Sequence, residues 1–282
     1  MATSVVETIT PAKAQEYLNM SGGNRNISKA VVNSYAITMK SGKWLLNGEA
    51  IVFDLDGVLL NGHHRLHAVI KAGVPIQSFV TRGVEHESYT TFDCGRHRTV
   101  GQLIGMQGIK NYNAVASAVQ LSYRLTNGYS LGETTSSKHL GKTNSDLIAY
   151  FNNDIELFIE AGAFSTQIRC ECPILDQSIV GGTFHYLVRV CGYQNETVKD
   201  FFSMVCSYST CENQSLDTLR LRLLRNRESK IERLSRTVLY AFVIKTWNAY
   251  VTGRTITCLR YNPEKEKYPT FIKAYELNNK NQ

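Results

Sequence analysis

Proline and acidic side chains are both in short supply in this chain. With only 5 Pro against 15 Tyr and 43% hydrophobic residues, the composition is not that of a disordered segment. The 24 acidic residues are outnumbered by 31 Lys and Arg, which leaves a net charge of +7. That balance admits a polyanionic partner such as nucleic acid without requiring one. No apolar run reaches the roughly 18 residues that a membrane span needs. The first residues, MATSVVETITPAKAQ, lack a basic n-region and an apolar h-region, so no secretory signal is expected. No Cys-x-x-Cys pair occurs, the 7 Cys are odd in number, and Cys170 and Cys172 are too close for a usual zinc knuckle. Reduced thiols of a cytoplasmic protein are the expectation, with no metal site. Internal repeats and low-complexity tracts are absent as well.

What is present divides into two patterns. Up to about residue 105, strand and helix signals alternate. Val5–Thr10 alternates as a short strand, and Pro11 can open a helix capped by Thr10. Ser28 is a good cap for a helix over Lys29–Lys40, with Val32, Tyr35, Ala36 and Met39 at helical spacing. Strands are predicted at Ala50–Phe53 and Val58–Leu60, joined by a hairpin turn at Asp54-Leu55-Asp56-Gly57, and a further strand at Ile76–Thr81. A short helix is predicted over Glu85–Thr91. Later segments read as helices: Tyr112–Leu125, Asp146–Phe151, Asp154–Gly162, Ile174–Cys191, Thr197–Ser207, Leu216–Arg225 and Leu234–Val251. A polar stretch from Thr126 to Gly141 interrupts them. The expected fold class is therefore α+β: a small mixed sheet with helices over residues 1–106, then a mainly α-helical domain over residues 107–282.

Between the hairpin and the Ile76 strand lies LLNGHHRLHAVIKA, Leu59 to Ala72. It reads as a strand end, a glycine turn at Gly62 and a helix with Leu66, Val69 and Ile70 on its buried face. His63, His64 and Arg65 occupy the first helical turn, where backbone N–H groups and the helix dipole favour an anion. A capped helix with a solvated basic end is the alternative.

The string Asn61-Gly62-His63-His64-Arg65-Leu66-His67-Ala68 resembles the xGxHRLxA box of the ParB/sulfiredoxin superfamily, most closely its phage-type ParB-like proteins. The preceding Asp54–Leu60 hairpin resembles their DxDGxLL element. Asp93-Cys94-Gly95-Arg96-His97-Arg98-Thr99 resembles the DxGxxRT element that follows it in the phage branch. The resemblance covers roughly the first hundred residues. It implies a ParB/sulfiredoxin-like domain that binds a nucleotide or DNA phosphate, with Gly62, His64 and Arg65 holding the phosphate and His63 donating to it. Sulfiredoxins carry a reactive cysteine inside this box and this chain has none. Partition proteins have Glu-Arg-Arg where this chain has His-His-Arg.

Other residues are candidates on chemistry alone. Arg96 and Arg98 could close the far side of the pocket, or pair with Asp93 to hold a turn. Glu49, His64 and Asp93 are the acid–base candidates if the chain turns over a substrate. Asp54 and Asp56 fit a plain hairpin turn better than a Mg²⁺ site. His67 lies at i+4 from His63, but without a Glu-x-x-His context a structural role is favoured. Arg25, between two asparagines, is a candidate phosphate or DNA contact, as are Arg220, Arg222, Arg225 and Arg227. The competing reading of that run is a solvated face paired with Glu228 and Glu232.

Three functions are in contention. The first is a phage- or plasmid-type, DNA-associated protein that binds a nucleoside triphosphate with Mg²⁺, or DNA itself, its helical half contacting DNA, a partner or a second copy. The second is a phosphoryl-transfer enzyme (an NTPase, a kinase-like phosphotransferase or a nuclease) using the same pocket. The third is a non-catalytic interaction protein that blocks a host target.

Overall fold

The computed structural model describes residues 1–22, 27–92, 98–129, 131, 143–207, 213–229 and 233–278. It is mixed α+β and divides into two compact units. The first comprises Met1–His97 with Ser136–Ser145, and the second Arg98–Thr135 with Asp146–Gln282. Among the described residues no helix is long and apolar enough to cross a membrane.

The first unit is built on a four-stranded sheet of order β1-β4-β2-β3, from β1 (Thr3–Ile9), β2 (Ile51–Asp54), β3 (Leu59–Asn61) and β4 (Ile76–Val84). β1 runs antiparallel to β4, with Thr3 opposite Arg82 and Ile9 opposite Ile76. β2 runs parallel to β4 and antiparallel to β3. All four residues of β2 are buried, as expected of a central strand covered on both faces. Pairing on both flanks explains why β4 continues past the predicted Thr81. β1 holds it as far as Arg82 and β2 as far as Val84.

Three helices serve this sheet: α1 (Pro11–Asn19), α2 (Lys29–Lys40) and α3 (His63–Ala72). Thr10 and Ser28 cap the first two through their side chains, as their positions predict. α3 packs against both α1 and α2. Ile9, Ala14, Ile51, Leu66, Ala68, Val69 and Val80 are fully excluded from solvent and form the centre of this core. Each large aliphatic side chain buried there contributes about 1.5–3 kcal/mol of transfer free energy. The segment predicted as a helix at Glu85–Thr91 forms a 3-10 turn, His86–Thr91.

The second unit is helical: α4 (Val100–Gly105), α5 (Tyr112–Thr126), α6 (Asn144–Asn152), α7 (Ile155–Glu171), α8 (Gln177–Arg189), α9 (Asn195–Cys206), α10 (Gln214–Glu228), α11 (Arg236–Thr252) and α12 (Ala274–Asn278). α4 starts in a capping box between Thr99 and Gln102. α7 does not stop at Gly162 as predicted. Phe164, Ser165 and Ile168 carry its buried face on to Glu171. The core gathers large side chains from several helices, among them Phe158, Phe184, Phe201, Phe202, Tyr240 and Trp247. Most of the polar stretch between Thr126 and Gly141 lies outside the described residues.

α8 crosses α5 at a distance that only glycine permits. A Cβ at Gly182 would lie 2.5 Å from the Leu121 Cβ, which is backbone-anchored and has no room to move aside. Gly182→Ala should therefore cost roughly 1–3 kcal/mol through overpacking. Urea denaturation reads this as a lowered midpoint, and an unchanged midpoint would show that the two helices can separate without penalty.

Candidate phosphate cradle and the charged clusters

The Asn61–Ala68 turn follows from one tight contact. Gly62 sits at φ 107°, in the left-handed region, immediately before α3. A Cβ there would meet Ile51 of β2 at 3.0 Å from Cγ1 and 3.3 Å from Cα. Conformation and space therefore both require glycine. The Leu66 N–H donates to the Gly62 carbonyl at 3.0 Å and closes the first turn. The start of α3 is thus held directly against the central strand, with its first N–H groups at the turn.

Three side chains of the first helical turn bind α3 to its surroundings. His63 is buried, and its Nε2 lies 2.9 Å from the Ser21 hydroxyl. His64 Nε2 accepts from the Ser28 N–H at 3.0 Å, which requires a neutral ring with its proton on Nδ1. Ser21 and Ser28 stand on either side of residues 23–26, so both anchors of that connection are tied to adjacent histidines. Arg65 reaches in the other direction. Its Nη1 donates to the Glu49 carbonyl and, at 3.1 Å, to the buried Ser78 hydroxyl. The guanidinium is thereby a structural clasp between α3, the approach to β2 and β4. His67, half-buried, lies one turn further along the helix.

Glu49 is exposed, and it is its carbonyl, not its carboxylate, that meets Arg65. Arg25, Asp93 and Arg96 lie outside the described residues. Arg98 is exposed and directly precedes the Thr99 cap of α4. Asp54 and Asp56 form the expected hairpin turn. The buried Asp54 carboxylate accepts from the N–H groups of Asp56 at 3.0 Å and Val58 at 2.7 Å, and lies 2.6 Å from His86 Nδ1. The His86 contact, helped by the two N–H donors, holds Asp54 below the usual carboxylate range. Asp54 in turn raises His86. With both carboxylate oxygens engaged, Asp54 is a poor Mg²⁺ ligand. No group of three or more His, Cys, Asp or Glu among the described residues could hold a metal ion.

A charged cluster that sequence reading missed lies across β1 and β4. Glu7 accepts from Arg82 at 2.6 Å and from the Tyr17 hydroxyl at 2.6 Å, and pairs with Lys13. Burial would raise the Glu7 carboxyl, but the bonds from Arg82, Lys13 and Tyr17 outweigh it and hold it at about 2. Lys13, Tyr17, Phe53 and Arg82 line a cleft of about 520 Å³ beside this cluster. The β1–β4 register sets Glu7 opposite Ser78, and the Arg82 side chain, four residues along β4, spans the gap to the carboxylate. Nothing in the local spacing announces a pair 75 residues apart.

In the helical unit, Ser122, His185 and Asp154 line up in a chain. Ser122 Oγ is 2.7 Å from His185 Nδ1, and Asp154 Oδ2 is 3.2 Å from His185 Nε2. The His185 ring stacks on Phe158 at 3.6 Å. Despite its resemblance to a nucleophile relay, this is a core network: Ser122 is 0% and His185 1% exposed, so no substrate reaches them. Burial pushes the imidazole down to about 4, against the opposing pull of Asp154. The free cysteines among the described residues are Cys170, Cys172, Cys191, Cys206 and Cys258. Burial pushes the Cys191 thiol up to about 12.

The arginine run splits into two groups. Arg220 is turned inward, with Nε donating to the Val205 carbonyl at 3.0 Å and Nη1 pairing with Asp217 at 3.1 Å. Arg222 is half-buried, and Arg225 and Arg227 are exposed.

Compared with known proteins, this chain matches no family model, no curated protein and no solved structure.

His185 gives a pH signature whose sign is fixed. Its folded pKa lies below the ordinary 6.5, so the unfolded chain takes up a proton that the folded one refuses. Stability is complete above 6.5 and should fall as pH drops from 6.5 towards about 4. Denaturation measured across that interval should show the decline, with His185→Gln removing its part of it. Identical pH profiles for the two proteins would contradict the assignment.

Proposed function

We propose that this chain is a ParB-like, DNA-associated protein that binds the phosphate of a nucleotide, or of DNA, at the Asn61–Ala68 turn. The observation that carries the reading is the Gly62 turn, whose positive φ and contact with Ile51 fix the start of α3 against the central strand. A helix start held in this way presents backbone donors and a positive dipole end to an anion without having to reorganise. His64 stands at the same turn. Arg65 supplies positive charge from its clasped position against the Glu49 carbonyl and the Ser78 hydroxyl.

A nucleoside triphosphate would bring its Mg²⁺ with it, because that ion binds chiefly to phosphate and water and needs few protein carboxylates. Binding, not turnover, is the favoured reading. Asp54 is engaged by its own hairpin, and His64 Nε2, the atom a base would use, already accepts from Ser28. The helical unit is left to contact DNA, a partner or a second copy, and the cytoplasm is the compartment that this role requires.

Arg65→Ala is a poor probe, because it also removes the clasp to Glu49 and Ser78. His64→Ala leaves that clasp in place and gives up the bond from the Ser28 N–H, and its unfolding midpoint is measured alongside to separate lost binding from lost stability. Titration of fluorescent ATP, CTP and GTP, each with Mg²⁺, and of a labelled DNA duplex should show binding by the natural protein. His64→Ala should weaken the bound ligand about tenfold, equivalent to about 1.4 kcal/mol. Absence of binding at low salt, or equal affinity in the variant, would overturn the reading.

A further inference from the structure

The helical unit holds a groove of about 370 Å³ between α10 and the segment that follows α11. Its lining includes Thr218, Arg222 and Arg225 from α10, and Thr257, Cys258 and Arg260 from the facing segment. No acidic residue is among its lining side chains. The two walls are fastened to each other. The buried Ser215 hydroxyl donates to the Arg254 carbonyl at 3.2 Å and accepts from the Ile256 N–H at 2.8 Å. Thr218 Oγ1 reaches the Ile256 carbonyl at 3.0 Å. Leu219 and Leu259 are buried beneath. Lys245 holds the Arg260 carbonyl at 2.6 Å and so fixes the backbone that carries the third arginine.

The cations here differ from others in the protein. Arg82 and Arg220 are engaged by Glu7 and Asp217. Among the described residues, Arg222, Arg225 and Arg260 form no ion pair. The guanidinium of Arg222 lies over the Phe242 ring at 5.8 Å, and its buried Nε has no hydrogen-bond partner among the described residues. Three guanidinium groups around one groove repel one another unless an anion lies between them. A tetrahedral oxyanion supplies the acceptors that such forked donors lack.

We propose that this groove is a second binding site, separate from the Gly62 turn, that takes backbone phosphates of a nucleic acid through Arg222, Arg225 and Arg260. Arg222 and Arg225, one turn apart, contact phosphate along α10, and Arg260 closes the opposite wall. The contacts are to phosphate and carry no base specificity. Arg260 is distant from the arginine run in sequence, and the fastening of its segment to α10 makes it part of the same site.

Cys258 reports occupancy from inside the groove, and the exposed Cys170, outside its lining, serves as the internal control. The full chain is treated with a thiol reagent, alone and with a short DNA duplex, a single strand or inorganic pyrophosphate, and labelling at each cysteine is mapped by mass spectrometry. DNA should slow labelling of Cys258 several-fold and leave Cys170 unchanged. The exposed pair Arg225→Gln and Arg260→Gln should abolish that protection. It should also lower the slope of log affinity against log salt by roughly one for each phosphate no longer neutralised. Arg222 is left in place because its stacking on Phe242 has a structural share. His64→Ala, which tests the Gly62 turn, should leave Cys258 protection intact, so failure of one site is distinguishable from failure of the other. Protection by pyrophosphate but by neither DNA would overturn the proposal in favour of a small-anion site. Equal labelling with and without DNA would overturn it outright.

Discussion

The contact between Gly62 and Ile51 sets the geometry of the first unit. A strand must end, reverse its backbone and begin a helix within van der Waals distance of β2, and a side chain at that corner would strike Ile51. Once the corner is fixed, the next three residues have defined destinations. His63 points into the core towards Ser21, His64 towards the cap of α2, and Arg65 across to Glu49 and Ser78. The basic appearance of the box therefore has a double origin. Its side chains bind the unit together, while the helix start itself supplies the anion-favouring electrostatics.

A net charge of +7 says little about where positive charge is available. Part of it is neutralised locally. Arg82 and Lys13 share Glu7, Arg220 faces Asp217 and two carbonyls, and Lys245 bridges Glu266 and the Arg260 carbonyl. Among the described residues, the groove beside α10 gathers cations with no carboxylate in its lining, on walls held by buried Ser215.

Local features were legible in the sequence. Thr10 before Pro11, Ser28 before the α2 helix, the Asp54–Gly57 hairpin and the Gly62 turn each act within a few residues, and each reads directly from residue type. The α+β division was legible too, because sheet and helix periodicities differ. Features set by distant partners were not. The Glu7–Arg82 pair exists because β1 folds onto β4, and the burial of His185 exists because α5, α7 and α8 converge on it. Gly162 looked like a helix end, yet the apolar face on either side of it carries the helix through. All four arginines of the run are contact candidates in the sequence, whereas the fold turns Arg220 inward and leaves Arg222 and Arg225 at the groove.

The proposed role of the α3 start as a phosphate receiver can be read at its own amides. Amide chemical shifts of the backbone, recorded by two-dimensional NMR while a nucleoside triphosphate with Mg²⁺ and then a DNA duplex are added, test it most directly. Phosphate binding at this turn should give saturable shifts largest at Gly62, His63 and His64 with at least one of these ligands. Shifts confined to other parts of the chain, or none at saturating ligand, would contradict it.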